Sequence, residues 1–373
     1  MKVAILNNLY PPNGRGGAEE AARNQANTFC VQGDTMIVLT LSPVNKLVVR
    51  EDNGVKIYEL PHKNIFNYFH IGRHSAPMRF LWHIIDTFNF CLARDIGKIL
   101  KAESADLAVC HNMKGLSYLT PRLIGRLGIK QWQVMHDVQL YTPSGLIAWG
   151  KEKSFEHAGL PTRAYRFFIR RFFSYAEKVF FPSKWLMEFY VSNGFFKTQE
   201  KIYQPNEINF LNSHCEERNR DAAISSAGFF ANNQQSTINN FLYVGQLEPH
   251  KGVMLLLDAF LLLPNGAQLH IVGDGSLMAE VKKRTDGNPN IIVYGRVARE
   301  KLPEFYSRAK AVIVPSLVYE NAPMVIGEAL SCGAKVIVAR LGGAPELIKE
   351  RENGVIFTPG DANDLAEKMK KFI

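Results

Sequence analysis

The sequence VPSLVYENAPMVIGEALSCG, from Val314 to Gly333, sets the architecture of the C-terminal half. An apolar strand at 311–315 runs through a short loop into a stretch that has the composition of a helix. Pro323 is expected at the first helical position, where its missing N–H has no partner to lose, with Asn321 as the cap before it. Gly333 is expected just past the helix end. A strand, a loop and a helix in this order predict one unit of a parallel α/β sheet.

The start of this helix is a predicted binding site for an anion. The N–H groups of Met324 and Val325 would lack intrahelical acceptors and lie at the positive end of the helix dipole, which suits a phosphate. Glu320 lies just ahead of the helix and Glu328 inside it, with seven residues between them. Helical spacing puts Glu328 on a different face from the apolar residues, so its carboxylate is expected to point outward and accept hydrogen bonds from hydroxyl groups. Two ordinary surface glutamates beside a capped helix remain the alternative interpretation.

The length and composition favour two soluble domains. The chain has 373 residues, more than a single hydrophobic core usually serves, and no apolar run of about 20 residues that would span a membrane. The N-terminus, MKVAILNNLY, becomes polar too early for a signal peptide and predicts a buried strand. The five cysteines are scattered and include no CxxC pair, which argues against a disulfide framework or a zinc site and fits a reducing cytoplasm. The net charge of +9 favours an anionic partner: a nucleotide, a phospholipid surface or nucleic acid.

Strands and helices alternate along both halves of the chain. This alternation predicts two parallel sheets, each covered by helices on both faces, with ligands bound at the carboxyl ends of the strands. We expect domains at 1–207 and 240–373, joined by a polar linker or insertion at 208–239 that is rich in Asn, Ser and Gln. The predicted strands are 2–7, 35–40, 55–60, 106–110, 131–136, 178–182 and 201–204 in the first half, and 240–244, 268–272, 290–294, 311–315, 335–339 and 355–358 in the second.

The Glu-x7-Glu motif within ENAPMVIGEAL resembles glycosyltransferase family 4, the retaining nucleotide-sugar transferases of GT-B fold. The order and spacing of motifs in both halves carry this resemblance, which is stronger after residue 240. It implies two Rossmann-like, doubly wound domains that face a central cleft, and a UDP- or GDP-linked sugar as donor. It assigns catalytic roles to Glu320, His136 and Lys251, and donor contacts to Gly16, Gly17, Gly245, Gln246, Lys251, Gly273, Asp274, Gly275, Arg296, Asn321, Ala322, Met324, Val325 and Glu328.

In the first half, the resemblance rests on a glycine turn and on histidines that follow strands. Gly16 and Gly17, within NGRGGAE, lie between the first strand and the first helix and would let the backbone approach a ligand. His111 and His136 each follow a strand and precede a polar residue. The His136-Asp137 pair matches the family position whose histidine faces the transferred sugar. A packed or solvated histidine is the alternative at both positions.

In the second half, the phosphate loop departs from the family pattern. The family has Gly-Arg-x4-Lys-Gly, whereas this sequence has Gln246 where the arginine is expected and keeps Lys251. Glutamine brings no charge, so donor diphosphate binding should depend more on Lys251. The turn Gly273-Asp274-Gly275 would lie beside the nucleotide or form a tight turn capped by Asp274. Gly295-Arg296 resembles the family glycine that precedes residues contacting the base.

The resemblance implies a mechanism that needs no metal ion or other cofactor. Lys251 and the helix start at Met324 would stabilise charge on the leaving diphosphate, and Glu328 would hold the ribose hydroxyls. Glu320 would face the donor sugar, and the leaving phosphate would take the proton of the acceptor.

Two basic and aromatic segments are candidates for contact with an anionic membrane. Asn64–Ile85 and Arg163–Phe173 mix arginines with Phe, Tyr and Trp, which suits a protein lying on a lipid leaflet. Core helices whose arginines face water are the alternative. The sequence contains no motif that reads DNA or RNA, so nucleic acid is not expected as a partner.

The sequence therefore predicts a hexosyltransferase that moves a sugar to a lipid-linked or cell-surface glycan, in the cytoplasm and at the inner face of the plasma membrane. Two rivals remain: a GT-B nucleotide-sugar epimerase, and a non-catalytic paralogue that acts as a partner subunit.

Overall fold

The computed structural model describes residues 1–14, 16–205 and 239–373. These residues divide into an N-terminal unit of 1–147 and 153–205, and a C-terminal unit of 148–152 and 239–373. The predicted linker at 208–239 lies outside the described residues, except for its last position. The short segment Ala148–Glu152 thus belongs to the C-terminal unit although it lies in the first half of the sequence.

The N-terminal unit contains an eight-stranded sheet of order β3-β4-β2-β1-β5-β6-β7-β8. Every neighbouring pair is parallel except β3 and β4, which are antiparallel. The strands are β1 Lys2–Leu6, β2 Thr35–Leu41, β3 Val48–Asp52, β4 Val55–Leu60, β5 Leu107–Cys110, β6 Lys130–Val134, β7 Lys178–Phe181 and β8 Glu200–Tyr203. The helices are α1 Gly17–Val31, α2 Ala76–Thr87, α3 Phe90–Ala102, α4 Thr120–Arg126, α5 Phe155–Ala158, α6 Leu160–Phe172 and α7 Lys184–Ser192.

The C-terminal unit contains a six-stranded sheet of order β11-β10-β9-β12-β13-β14, parallel throughout. The strands are β9 Asn239–Val244, β10 Ala267–Val272, β11 Ile291–Gly295, β12 Ala311–Val314, β13 Lys335–Ala339 and β14 Gly354–Phe357. The helices are α8 Val253–Phe260, α9 Met278–Thr285, α10 Leu302–Arg308, α11 Met324–Ser331 and α12 Ala362–Lys370.

Alternating strand residues enter different hydrophobic clusters. In β9, Phe241 and Tyr243 pack into the cluster formed with α8 and α12, whereas Leu242 packs into the cluster formed with α10 and α11. Successive side chains of a strand point to opposite faces, so both faces of this sheet are covered. The predicted α/β class with two Rossmann-like doubly wound domains is confirmed, and each predicted strand is present to within one or two residues at its ends.

The strand order reverses direction between β1 and β5 in one sheet and between β9 and β12 in the other. In doubly wound folds, ligands bind beside the loops that follow the carboxyl ends of two such strands. In the N-terminal sheet these are the loops around Asn8 and Asn112, which are joined by a backbone hydrogen bond of 2.9 Å. In the C-terminal sheet they carry Lys251 and Glu320.

Among the residues the model describes, no helix combines the length and the apolar composition that a membrane span requires.

Candidate functional site

Lys251 and Glu320 form an ion pair at the strand-order reversal of the C-terminal sheet. Lys251 Nζ lies 2.8 Å from Glu320 Oε1. The hydroxyl of Ser316 donates to the same carboxylate oxygen. The side chains of Lys251 and Glu320 are 29% and 14% exposed, so the pair is reachable from solvent but largely enclosed. Two residues that the resemblance assigns to catalysis are therefore in direct contact.

Glycines allow the loops around this pair to pack closely. Gly252 has a φ of +74°, and a Cβ atom there would lie 1.9 Å from the carbonyl oxygen of Pro315. Gly342 has a φ of +64°, and a Cβ atom there would lie 2.0 Å from the carbonyl oxygen of Glu320. Any larger residue would collide with backbone and would also occupy a disfavoured conformation. These contacts fix the loop that carries Glu320 between its two neighbours.

Gly245, Gly273 and Gly275 belong to the same group of loops. A Cβ atom on Gly273, whose φ is +143°, would lie 1.8 Å from the carbonyl oxygen of Gly245. A Cβ atom on Gly275 would lie 2.5 Å from the carbonyl oxygen of Leu247. The glycines predicted to bind the donor thus bring the loops after β9 and β10 together. The structure gives them a packing role, and a donor contact stays a prediction.

Gln246 and Asp274 lie on the exposed rim of these loops. The carbonyl oxygen of Gln246 accepts a 2.7 Å hydrogen bond from the Tyr243 hydroxyl, which fixes the backbone and leaves the amide side chain exposed. Asp274 Oδ1 accepts from the N–H of Gly275 at 2.8 Å. The bonded residues are adjacent in the chain, and Leu277 rather than Asp274 holds the cap position of the following helix, so a donor contact of Asp274 stays a prediction.

The helix that follows Glu320 begins one residue later than predicted. It is α11, Met324–Ser331, and Pro323 occupies the cap position because its ψ of 121° is extended rather than helical. The cap forms no side-chain hydrogen bond, so the prediction that Asn321 caps this helix is wrong. Asn321 is buried and Ala322 half-buried in the preceding loop. Gly333 follows the helix end with a φ of +81°, as expected for a helix terminator.

Met324 and Val325 form the first turn of α11 and are half-buried. Their amide groups lie where the helix dipole is positive, because a helix start leaves its first N–H groups without intrahelical acceptors. The loop that carries Glu320 leads directly into this turn, so the acidic residue and the helix start are neighbours along the chain.

Glu328 is buried, contrary to the expectation that its carboxylate would point outward. It is 6% exposed. Its Oε2 accepts a 2.9 Å hydrogen bond from the buried Tyr306 hydroxyl, and its Oε1 accepts one of 3.1 Å from Arg299. Both partners follow β11, which is separated from β12 by two strands of the sheet, so only the folded sheet brings them to Glu328. Sequence analysis missed Tyr306 and Arg299. It named Arg296 instead, which is exposed.

The segment Ala148–Glu152 pairs with the residues that precede Glu320, and we call it the arm. Ala148 forms an antiparallel bridge with Val318, and the N–H of Trp149 donates to the carbonyl oxygen of Leu317 at 2.9 Å. Glu152 Oε1 accepts a 2.8 Å hydrogen bond from the Tyr319 hydroxyl. The Trp149 ring lies against Gly360. The arm therefore braces the loop that presents Glu320.

In the N-terminal unit, His136 and His111 are hydrogen-bonded to each other. His111 Nδ1 lies 2.9 Å from His136 Nε2, and the two rings are stacked with an interplanar angle of 20°. His111 Nε2 lies 2.7 Å from Gln25 Oε1 on α1. Burial lowers the pKa of His136 to about 4. Burial, and then the neighbouring His136, lower the pKa of His111 well below its usual range. Both imidazoles are therefore neutral at physiological pH.

Two buried carboxyl groups organise the loops around this histidine pair. Asp86, at the end of α2, accepts from the N–H groups of Gly115 and Ser117 in the loop after β5. Asp137 Oδ1 accepts from the N–H of Gln139 at 2.7 Å. Burial raises the pKa of Asp86 to about 7 and that of Asp137 to about 6, although these N–H donors oppose the shift.

Gly16 and Gly17 form the start of α1. Gly16 is the cap residue, and its N–H donates to Glu19 Oε2 at 2.8 Å. Neither glycine has a positive φ among the described backbone angles. The Gly16 amide is thus already occupied by a side-chain carboxylate, and a ligand at this helix start would have to replace Glu19.

A cavity of about 310 Å³ lies between α1 and the strands β6, β7 and β8, with Gln25 and His111 on its wall. Its lining carries no Asp, Glu, Lys or Arg and combines aromatic rings, such as Phe29, Trp132 and Phe180, with amide side chains, such as Gln25 and Gln32.

Both basic aromatic segments, Asn64–Ile85 and Arg163–Phe173, lie in the N-terminal unit. Phe88, just past α2, contacts Phe168 of α6 edge-to-face, with ring centroids 5.0 Å apart. Outward-facing apolar side chains on the two helices include Phe80, which is 56% exposed, and Phe167, which is 63% exposed. Arg79, Arg163, Arg170 and Arg171 are exposed beside them. We call this region the α2–α6 face. The inward-facing side chains of the two helices, such as Trp82 and Ile169, are buried.

Within the described part of the chain, no group of three or more His, Cys, Asp or Glu side chains is arranged to hold a metal ion.

Comparisons with known proteins match the chain to a family model and to several relatives. The family model of glycosyl transferases group 1 matches residues 227–373, which include Lys251, Glu320 and Glu328. An uncharacterized 42.6 kDa protein in the cps region of Klebsiella pneumoniae is 23% identical over 98% of this chain and 91% of its own length. A lipopolysaccharide 1,2-N-acetylglucosaminetransferase of Salmonella typhimurium is 32% identical over 41% of this chain and 48% of its own length.

The solved structure of HepE from Anabaena, in complex with UDP-glucose, has the same fold. It superimposes with a TM-score of 0.65 at 17% identity, covering 100% of this chain and 89% of that one. The family match is to an enzyme family, consistent with the predicted hexosyltransferase class. Residues 227–373 thus match the model of a glycosyltransferase family, and the chain has the GT-B fold.

Proposed function

We propose that this protein is a retaining glycosyltransferase that moves a sugar from a UDP- or GDP-linked donor to a lipid-linked or cell-surface glycan. The observation that carries this proposal is the ion pair between Lys251 and Glu320, held at the strand-order reversal directly before α11. A cation, an anion and a helix start in one place suit a donor that has a diphosphate on one side and a sugar on the other.

The relatives support the substrate classes. The Salmonella relative is named for transfer of N-acetylglucosamine to lipopolysaccharide, and the Klebsiella relative is encoded in a cps region. The HepE structure contains UDP-glucose. A nucleotide-sugar donor and a surface glycan acceptor follow as the substrates proposed for this chain.

The described contacts suggest how the donor would be held. Without donor, Lys251 neutralises Glu320. An arriving diphosphate offers Lys251 Nζ a second anionic partner, and the amide groups of Met324 and Val325 add donors at the start of α11. Glu320 then faces the sugar, where its carboxylate would stabilise positive charge that develops at the anomeric carbon. Because Gln246 provides no charge in the loop after β9, Lys251 is the main cation for the diphosphate in this scheme.

Glu328 would bind the ribose hydroxyls while its carboxylate is fixed by Tyr306 and Arg299. These two hydrogen bonds fix the orientation of the carboxylate. A fixed acceptor binds a ligand better than a mobile one, because less conformational entropy is lost on binding.

In the N-terminal unit, His136 would contact the transferred sugar as a neutral imidazole. The leaving phosphate would take the proton of the acceptor hydroxyl on the face from which it departs, so the product keeps the configuration of the donor. This scheme uses no metal ion.

The α2–α6 face would contact an anionic membrane. The contact between Phe88, just past the first segment, and Phe168 links the end of α2 to α6. The two helices carry exposed aromatic side chains that can enter the lipid interface and arginines that can pair with phosphate groups. This placement would bring the N-terminal unit close to a lipid-linked acceptor at the inner face of the plasma membrane.

A panel of UDP- and GDP-sugars tests the proposed function. We expect one donor to raise the melting temperature, to be hydrolysed slowly alone, and to yield a product of unchanged anomeric configuration by NMR when an acceptor glycan is added. An inverted product would contradict the retaining mechanism. Epimerised donor without acceptor would identify a nucleotide-sugar epimerase, and failure to bind any donor would favour a non-catalytic partner subunit.

A further inference from the structure

We infer that Gln25 is a positioning residue that fixes which ring nitrogen of His136 carries the proton, acting through His111. The geometry consists of a continuous chain of hydrogen bonds from Gln25 Oε1 to His111 Nε2, and from His111 Nδ1 to His136 Nε2. This inference deepens the proposed sugar contact of His136 and rests on that role.

The direction of the chain follows from its first acceptor. A carbonyl oxygen can only accept, so Gln25 Oε1 requires a proton on His111 Nε2. In a neutral imidazole the other nitrogen is then an acceptor, and His111 Nδ1 must receive a proton from His136 Nε2. His136 is therefore held as the Nε2–H tautomer with Nδ1 unprotonated. An amide oxygen on α1 thus sets the direction of this hydrogen-bond chain and, with it, the tautomer of His136.

The sequence of α1 explains why Gln25 can reach the strand end. Ala22 and Ala26 are fully buried and Phe29 is 8% exposed, so small side chains bring the helix close to the sheet. Gln25 lies on the edge of this buried face, and His111 directly follows β5. The resulting 2.7 Å contact joins residues that are far apart in sequence.

Both rings of the histidine pair are neutral because they are buried. Burial is the main cause of the lowered pKa of both rings, and only for His111 does a neighbouring group, His136 itself, add to it. With both rings neutral, the placement of their protons depends on hydrogen-bond partners, and Gln25 is the partner at one end of the chain.

The test replaces Gln25 with leucine, which keeps the size of the side chain but removes the acceptor, and with glutamate, which restores an acceptor oxygen. Asn24→Leu is the matched control, because Asn24 precedes Gln25 on α1 and lines the same cavity. If Gln25→Leu does not fold, Gln25→Asn takes its place in the experiment, because the side chain is one methylene shorter and its oxygen is withdrawn from His111.

The direct readout is nitrogen-15 NMR of histidine-labelled protein without substrate, with signals assigned through His111→Asn and His136→Asn. We expect both rings as Nε2–H tautomers in the natural chain and in Asn24→Leu. Gln25→Leu should give a mixture of tautomers at His136, and Gln25→Glu should restore the Nε2–H form of His111. An unchanged His136 signal in Gln25→Leu would overturn the inference.

Kinetics separate this positioning role from the proposed function. With the donor found in the panel, Gln25→Leu should lower kcat about fivefold to tenfold, the worth of one neutral hydrogen bond, with little change in KM for the donor. Tautomers that shift as expected in a protein without transferase activity would sustain the inference about the ring protons and reject the proposed function. Transferase activity with unchanged tautomers would do the opposite.

Discussion

Lys251 Nζ donates to Glu320 Oε1 across 2.8 Å, and the two residues leave adjacent strands at the point where the order of the C-terminal sheet reverses. This is the position at which a doubly wound sheet opens for a ligand. The pair therefore places a cation and an anion at the donor end of the sheet, although they are far apart in the sequence.

Lys251→Gln should lower kcat/KM for the donor by about 100-fold, because it removes the main charge available to the leaving diphosphate. Steady-state kinetics with the donor from the panel would measure this. Lys283→Gln is a suitable control, since Lys283 is exposed on α9 of the same unit. A Lys251→Gln enzyme within a few fold of the natural one would exclude Lys251 from catalysis.

Tyr306→Phe should weaken donor binding about threefold to tenfold in calorimetry, because Glu328 loses the hydroxyl that orients it. We also expect the free energy of unfolding to fall by about 1–3 kcal/mol, because a buried carboxylate loses a hydrogen bond. Tyr175→Phe, at an exposed tyrosine, should change neither quantity. Normal donor affinity in Tyr306→Phe would show that Glu328 needs no help in binding the ribose, or does not bind it.

Gly252→Ala should destabilise the protein by about 3 kcal/mol or more, because the new methyl group meets the carbonyl oxygen of Pro315 and the backbone is left-handed. Gly287 has the same φ of +74° but no atom within 4 Å of a built Cβ. Gly287→Ala should therefore cost only the conformational strain, about 1–2 kcal/mol. Equal losses in urea denaturation would mean that the loops after β9 and β12 are not in close contact.

The stability difference between the natural chain and His136→Asn should depend on pH. In the folded protein the pKa of His136 is lowered to about 4 from the ordinary value of 6.5. Between these pH values the unfolded chain binds more protons than the folded one, so the free energy of unfolding decreases as the pH falls. The natural chain should therefore lose about 3 kcal/mol relative to the variant between pH 7 and pH 4.

The difference between the two proteins is the informative quantity in that experiment. Asp86 and Asp137 have raised pKa values and contribute in the opposite direction as the pH falls, but they are present in both proteins. Urea denaturation at several pH values would supply the measurement. A gap that stays constant with pH would indicate a solvated His136.

Binding to vesicles should depend on the arginines of the α2–α6 face. Replacing Arg163 and Arg171 with glutamine should weaken binding to vesicles with anionic lipid about tenfold to thirtyfold, since each basic residue near such a surface contributes about 1 kcal/mol. The control replaces Lys282 and Lys283, which are exposed on the C-terminal unit, with glutamine. It removes the same amount of charge from another part of the protein. Flotation that is insensitive to salt and to anionic lipid would refute the membrane contact.

Periodic patterns predicted the two sheets, but not every element of them. The strand β3, Val48–Asp52, was missed because VVRED is short, half charged and on the sheet edge, where the pattern of a buried parallel strand does not apply. The cap of α11 was misassigned because the fixed φ of Pro323 fits both the cap and the first helical position, and only its ψ tells them apart.

The motif residues were predictable, whereas their partners were not. Glu320, Glu328 and Lys251 lie in recognisable local patterns, but Tyr306 and Arg299 reach Glu328 only through the order of strands in the sheet. Gln25 is similar, because nothing in the composition of α1 indicates that this amide reaches a histidine that follows β5. Hydrogen bonds of this kind are set by tertiary packing, which single-sequence periodicity does not encode.

The arm, Ala148–Glu152, matters for recombining this protein with relatives. A chimera joined near position 207 would combine residues 240–373 with a foreign first half, and Leu317 and Tyr319 would lose their natural hydrogen-bond partners. The exchangeable module is therefore discontinuous: donor specificity should transfer intact only when the five residues of the arm are grafted together with the C-terminal piece.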